Sequence, residues 1–169
     1  MHIERMAKTH VGPHGDLVTE FLVVFARFEF ALKKCGFLQS KMDGDDAKPN
    51  WDTFATDPAV KATFETTGTP EVVSAVNELL AEPPTKQIVK AGKWEWGDSE
   101  GSRVSSRNAA SVLLLVRRVR NNLFHGGKFP MRPVDGPERN VELLNRCLVL
   151  LDHALKCAPA NVQRAFVEE

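Results

Sequence analysis

Residues 116–130 read VRRVRNNLFHGGKFP, which packs three arginines, two asparagines, a histidine and a lysine into fifteen positions. Arg117, Arg118 and Arg120 carry planar guanidinium forks that match the oxygens of a phosphate. His125 is the side chain best suited to exchange a proton near neutral pH. Guanidinium and imidazole together are what is needed to hold and cut a phosphodiester. A plainer reading competes with this one: a helix end whose cations answer the macrodipole and which stops at Gly126–Gly127. The macrodipole would also favour protonated His125. It does not call for Asn121–Asn122, since asparagine is a poor helix former that costs about a few tenths of a kcal/mol per position. A binding role accounts for them better.

Charge is placed unevenly around this segment. The chain of 169 residues has 22 Lys+Arg and 22 Asp+Glu. From Gly101 to Val134 there is no acid, yet Arg103, Arg107, Arg117, Arg118, Arg120, Lys128 and Arg132 all fall there. The rest of the chain holds 15 cations against all 22 acids. A local positive field of this kind recruits phosphate, whereas zero net charge argues against a general nucleic-acid coat. Acidic neighbours in space would neutralise it, and sequence does not reveal them.

The elements that must position these groups are helical. On a helix over 105–125, Val112, Leu115, Val116, Val119 and Leu123 form a core stripe. Arg118, Asn121, Asn122 and His125 share a second side, and Arg117, Arg120 and Phe124 a third. The polar groups are thereby expected at an exposed helix end. Near the start, Leu17, Phe21, Val24, Phe25, Phe28 and Leu32 recur at three- and four-residue steps, predicting an amphipathic helix over 16–36 with Gly15–Asp16 at its head and Gly36 at its foot. Asp57–Pro58 and Thr69–Pro70 are helix-start signals, and Pro83–Pro84 ends the second element. Residues 85–102 permit a small hairpin, around 86–97, or an irregular loop about Gly92. Pro137 opens another long helix, and a short one closes the chain. The expected fold is all-α: one domain over 1–169, a helical bundle with short inserted helices and a loose N-terminus over 1–14.

The motif RNNLFHG, Arg120 to Gly126, resembles the R-x4-6-H motif of HEPN (higher eukaryotes and prokaryotes nucleotide-binding) domains. Asn121 matches the polar residue that typically follows the arginine there. The order also fits, with an early amphipathic helix carrying Glu29 and the motif at the end of a later one. Arg118 satisfies the same window, and helical geometry favours it; the Arg–Asn pairing favours Arg120. Spacing leaves both open. The resemblance does not extend over 40–100. It implies an HEPN-like bundle that forms a homodimer across a two-fold axis. The implied activity is that of a metal-independent endoribonuclease, of the kind found as a toxin or phage-defence RNase with an antitoxin protein partner. Other members serve as non-catalytic nucleotide-binding or protein-interaction modules.

Cleaving RNA through its own 2′-hydroxyl requires a base, an acid and charge at the pentacoordinate phosphate. His125 is the acid/base candidate, Arg120 the phosphate holder and Asn121 an orienting group. Arg118, Asn122, Arg117 and Lys128 are candidates for further substrate binding, with Glu29 as a supporting partner of a motif arginine. One histidine per chain leaves the second proton carrier to a second subunit. The basic segment offers no carboxylate as a metal ligand, so neither a metal nor a cofactor is expected. His2, His10 and His14 read as a lightly packed terminus rather than a metal site, His153 as a packed core histidine and Arg27 as solvent-facing. Trp94 and Trp96 read first as core or interface packing and second as base-stacking groups. Cys35, Cys147 and Cys157 lack CxxC spacing and read as buried structural thiols in a reducing cytoplasm. VLLLV, 112–116, is too short to span a bilayer, and residues 1–15 lack the apolar core of a signal peptide.

Overall fold

The computed structural model describes residues 15–66, 68–97, 107–124 and 137–168. Helix α1 (Gly15–Lys34) opens with Asp16 in its first turn and buries Phe21, Phe25, Phe28, Ala31 and Leu32. It ends where the periodicity ends, because Gly36 takes φ +83°. The Phe37 amide bonds the Leu32 carbonyl at 2.9 Å and the Gly36 amide that of Lys33 at 3.1 Å, closing the last turn. Two short helices follow, α2 (Trp51–Ala55) and α3 (Pro58–Thr66). The Asn50 side chain accepts from the Thr53 amide, and that of Asp57 from the Ala59 amide. Helix α4 (Pro70–Ala81) is capped by Thr69 with Pro70 in its first turn.

Strands β1 (Gln87–Lys90) and β2 (Lys93–Trp96) then form an antiparallel hairpin. Ala91 and Gly92 both have positive φ, 50° and 74°. That pairing defines the two-residue turn whose twist suits a hairpin. It settles the sequence's choice between hairpin and loop.

The remaining helices are α5 (Ala109–Phe124), α6 (Pro137–Cys157) and α7 (Ala160–Val167). Helix α6 packs against α1, α3, α4, α5 and α7, so it is the centre of the bundle. Its Leu144, Cys147, Leu150, Leu151 and Ala154 all lie in the core. Helix α5 contributes Val112, Leu115, Val116 and Val119 to the same core, with Leu123 packed on its edge. The expected stripe is therefore the observed one, and the described residues form an all-α fold with one small hairpin. Among the described residues no helix is long and apolar enough to cross a membrane. The N-terminal stretch 1–14, with His2, His10 and His14, lies outside the described residues.

Three expectations need correction. Arg27 is not simply solvent-facing but half-buried: its Nε and Nη2 donate to the Phe166 carbonyl at 3.1 and 2.7 Å, tying α1 to α7. The Lys34–Glu168 ion pair reinforces the same contact. Of the thiols, only Cys147 is buried, where desolvation pushes it well above its ordinary range; Cys35 and Cys157 are half-buried. The tryptophans of the hairpin are not core, which overturns the core half of the core-or-interface expectation: Trp94 is 58% exposed and Trp96 half-buried.

His153 packs edge-on to Phe64 with ring centroids 5.1 Å apart, as a packed histidine should. Burial lowers its pKa, opposed by the Thr63 backbone and Asp152 and assisted by Lys156. Its Nε2 is buried without a hydrogen-bond partner among the described residues, so a second ring proton would meet no acceptor there. The unfolded ring titrates near about 6.5. A histidine with a depressed folded pKa stabilises the fold fully above that value, and the contribution is lost as pH falls below it. Stability of His153→Leu, relative to the parent, should therefore rise as pH drops from about 7 to 5 in urea titrations. Parallel curves for the two proteins would overturn the assignment.

Candidate functional site

The basic face of α5 lies against α1 and α2. Asn108 starts α5 by accepting from the Ser111 amide at 2.9 Å, which fixes the register of everything after it. The core stripe then turns residues 117, 118 and 120 to its flanks. Arg120 is the most closely surrounded of the three. Its Nη2 lies 4.0 Å from Glu29 Oε2, and its Nη1 donates to Asn121 Oδ1 at 3.1 Å. Its guanidinium carbon sits 5.6 Å from the centre of the Phe25 ring, a cation–π distance. Glu29 is itself held, accepting from Trp51 Nε1 at 3.4 Å. A chain of contacts thus runs from the aromatic core through Trp51 and Glu29 to the arginine. The expected meeting of Glu29 with a motif arginine is present.

Arg117 turns toward α2, where its Nη1 meets Asp52 Oδ1 at 3.1 Å. Asp52 is 81% exposed, so this pair is screened and weak. Two of the cations in the basic segment therefore have acidic neighbours, and the local field is smaller than the sequence suggests. Arg118 is half-buried like the other two, and its Nη1 is shut off from water with no hydrogen-bond partner among the described residues. Desolvation lowers its pKa, which still leaves it charged at any working pH.

Asn122 has a role that the sequence did not suggest. Its Nδ2 donates to the Thr85 carbonyl at 3.0 Å, pinning the approach to the hairpin onto the end of α5. Asn121 is exposed beyond its contact with Arg120.

The expectation of an open helix end is only partly met, because Arg117, Arg118 and Arg120 are all half-buried. Nor does the macrodipole explain them. The last turn of α5, Asn121–Phe124, contains no cation, and the dipole acts chiefly within that turn. His125, Gly126–Gly127 and Lys128 lie outside the described residues, as do Arg103 and Arg132. The structure brings together Arg120, Asn121 and Glu29, and adds Trp51 and Phe25, whose part in the site no sequence pattern marks. Trp51 belongs to no motif; only its place opposite α1 discloses it. Among the described residues no cluster of His, Cys, Asp and Glu is arranged to hold a metal ion.

No protein-family model, curated protein or solved structure matches the chain.

Proposed function

We propose that this protein is an HEPN-type endoribonuclease that cleaves RNA without a metal, as a homodimer. The observation that carries the reading is the support of Arg120 by Glu29, Phe25 and Asn121 at the head of RNNLFHG. A guanidinium fixed this way loses little freedom when it takes a phosphate, which is what transition-state stabilisation needs. His125 follows the last residue of α5 in the sequence, five positions after Arg120.

In the proposed reaction His125 of one protomer takes the 2′-hydroxyl proton as that oxygen attacks phosphorus. The bond from phosphorus to the 5′-oxygen breaks, and the leaving oxygen receives a proton from the partner subunit's His125. The products are a 2′,3′-cyclic phosphate and a 5′-hydroxyl. Arg120 holds the non-bridging oxygens, with Arg118 beside it and Lys128 as a further cation. Cys35, Cys147 and Cys157 are free thiols, which suits a reducing compartment such as the cytoplasm. A toxin or phage-defence RNase restrained by an antitoxin protein is the biological setting that this chemistry fits.

The test is incubation of the purified protein with mixed RNA in EDTA. Cyclic 2′,3′-phosphate ends should form and should vanish in His125→Ala. A folded dimer that leaves RNA intact would favour a non-catalytic, nucleotide-binding module instead. A monomer in sedimentation would count against both.

A further inference from the structure

Helix α1 turns a largely apolar stripe outward. At about 100° per residue, Thr19, Val23, Ala26 and Phe30 fall within an arc of about 60°. All four are exposed, Val23 by 57% and Phe30 by 44%. The Thr19 hydroxyl is occupied, donating to the Gly15 carbonyl at 2.8 Å, so it brings no unmet donor to the stripe. A contiguous apolar face left outside the core marks a contact surface.

Charge along the same face says what meets it. Asp16 and Glu20, toward the head of α1, have no cation partner among the described residues. Arg27, Lys33 and Lys34 stand toward its foot, and of these only Lys34 meets a carboxylate among the described residues, that of Glu168. The Arg27 guanidinium carbon and Lys34 Nζ lie 5.3 and 5.9 Å from the centre of the Phe30 ring. The stripe is thus acidic at one end and basic at the other, which makes it complementary to a reversed copy of itself. About a two-fold passing between Ala26 and Arg27, Val23 of each copy meets the partner's Phe30. Glu20, one turn further out, comes to the partner's Lys34. Ala26 is the smallest side chain of the stripe and sits at the crossing, where it lets the helix axes approach closely. Parallel pairing would set acid beside acid and base beside base.

We propose that α1 is the dimer surface of this protein, paired antiparallel with α1 of a second copy through Thr19, Val23, Ala26 and Phe30. The surface stands on the α1 face itself; its bearing on cleavage rests on the proposed ribonuclease reading. Arg120 meets α1 at Phe25 and Glu29, which bracket the level of the two-fold. A two-fold normal to a helix pair keeps the same flank of both helices on one side. Both Arg120 side chains therefore fall on one side of the dimer, level with its axis, as a shared cleft requires.

The full chain is followed by sedimentation equilibrium from about 1 to 100 μM, since one helix face makes a small interface. Val23→Lys should raise the dimer Kd by about tenfold or more without lowering the melting temperature. Val23→Glu should do less harm, because the partner's Arg27 and Lys34 flank the ring it meets. With Cys35→Ser and Cys157→Ser in place, Ala26→Cys should form a disulfide between two chains under mild oxidant. Val23→Cys and Phe30→Cys should couple to each other in a mixture and not to themselves. Cleavage per protomer in Val23→Lys should fall with the dimer fraction and recover as protein concentration rises.

A dimer that Val23→Lys leaves intact overturns this surface even if RNA is cut as proposed. Dimerisation that depends on Val23 in a protein that cuts nothing supports the surface and sinks the nuclease. Self-coupling at positions 23, 26 and 30 alike marks a parallel pair and overturns the register, as does greater damage from Val23→Glu than from Val23→Lys. A chain still monomeric at the highest concentration overturns the inference and leaves the face to a different protein.

Discussion

Arg120→Ala is expected to reduce kcat/KM for RNA cleavage by about 10²–10³-fold, the usual loss when one preorganised transition-state donor is removed. The fall should be mainly in kcat, because charge on the phosphate is greatest in the transition state. Arg120→Lys should not restore the rate, since an ammonium cannot present two parallel donors to a phosphate. Fold stability should change by only about 1 kcal/mol. The cation–π contact with Phe25 at 5.6 Å and the loose 4.0 Å pair with Glu29 are each modest where water has access. Glu29→Gln isolates the supporting residue. Its amide oxygen still accepts from Trp51, but the charge facing Arg120 is gone, so a severalfold loss of kcat with little change in melting temperature is expected. Arg118→Ala is the decisive comparison. If it abolishes cleavage while Arg120→Ala cuts at the parental rate, the phosphate belongs to the half-buried Arg118 and the assignment to Arg120 fails.

How far the sequence discloses this site depends on the range of each contact. Local geometry is legible. The apolar stripe of α5, the glycine-terminated end of α1 and the Thr69 and Asp57 starts all follow from neighbours within a few positions. Glu29 is also within reach, because an arginine drawn toward a bundle core needs a carboxylate and α1 offers one on its flank. Contacts across the fold are another matter. Arg27 reads as solvent-facing because its acceptor, the Phe166 carbonyl, lies 139 residues away and is a backbone group with no sequence signature. The Asn122–Thr85 bond spans 37 residues and is equally silent. Trp94 misleads for the opposite reason: large aromatic residues are usually buried, whereas the two-stranded ribbon leaves this one 58% exposed. In the proposed reaction the proton-transfer role falls to His125, which lies outside the described residues.

Trp51→Ala should give the largest loss of stability, about 3–5 kcal/mol. Trp51 is only 3% exposed and lies on two α1 rings: Phe25 with centroids 5.1 Å apart and Phe28 at 5.2 Å, both near parallel. Phe54 meets it edge-on at 6.3 Å. Removing the indole opens a cavity beneath α1, where the buried rings cannot close without moving the helix that carries Glu29. At roughly 2–4 °C per kcal/mol for a chain of this size, the melting temperature should fall by roughly 6–20 °C. Trp51→Phe separates packing from hydrogen bonding. A phenyl ring retains most of the stacking but leaves Glu29 Oε1 without its 3.4 Å donor, at a cost of about 1 kcal/mol. If the indole orients Glu29, and Glu29 orients Arg120, the Phe variant should lose kcat severalfold at temperatures where it is fully folded, with KM nearly unchanged. A folded Phe variant that cleaves at the parental rate would sever that chain of support, and Trp51 would then matter to the core alone.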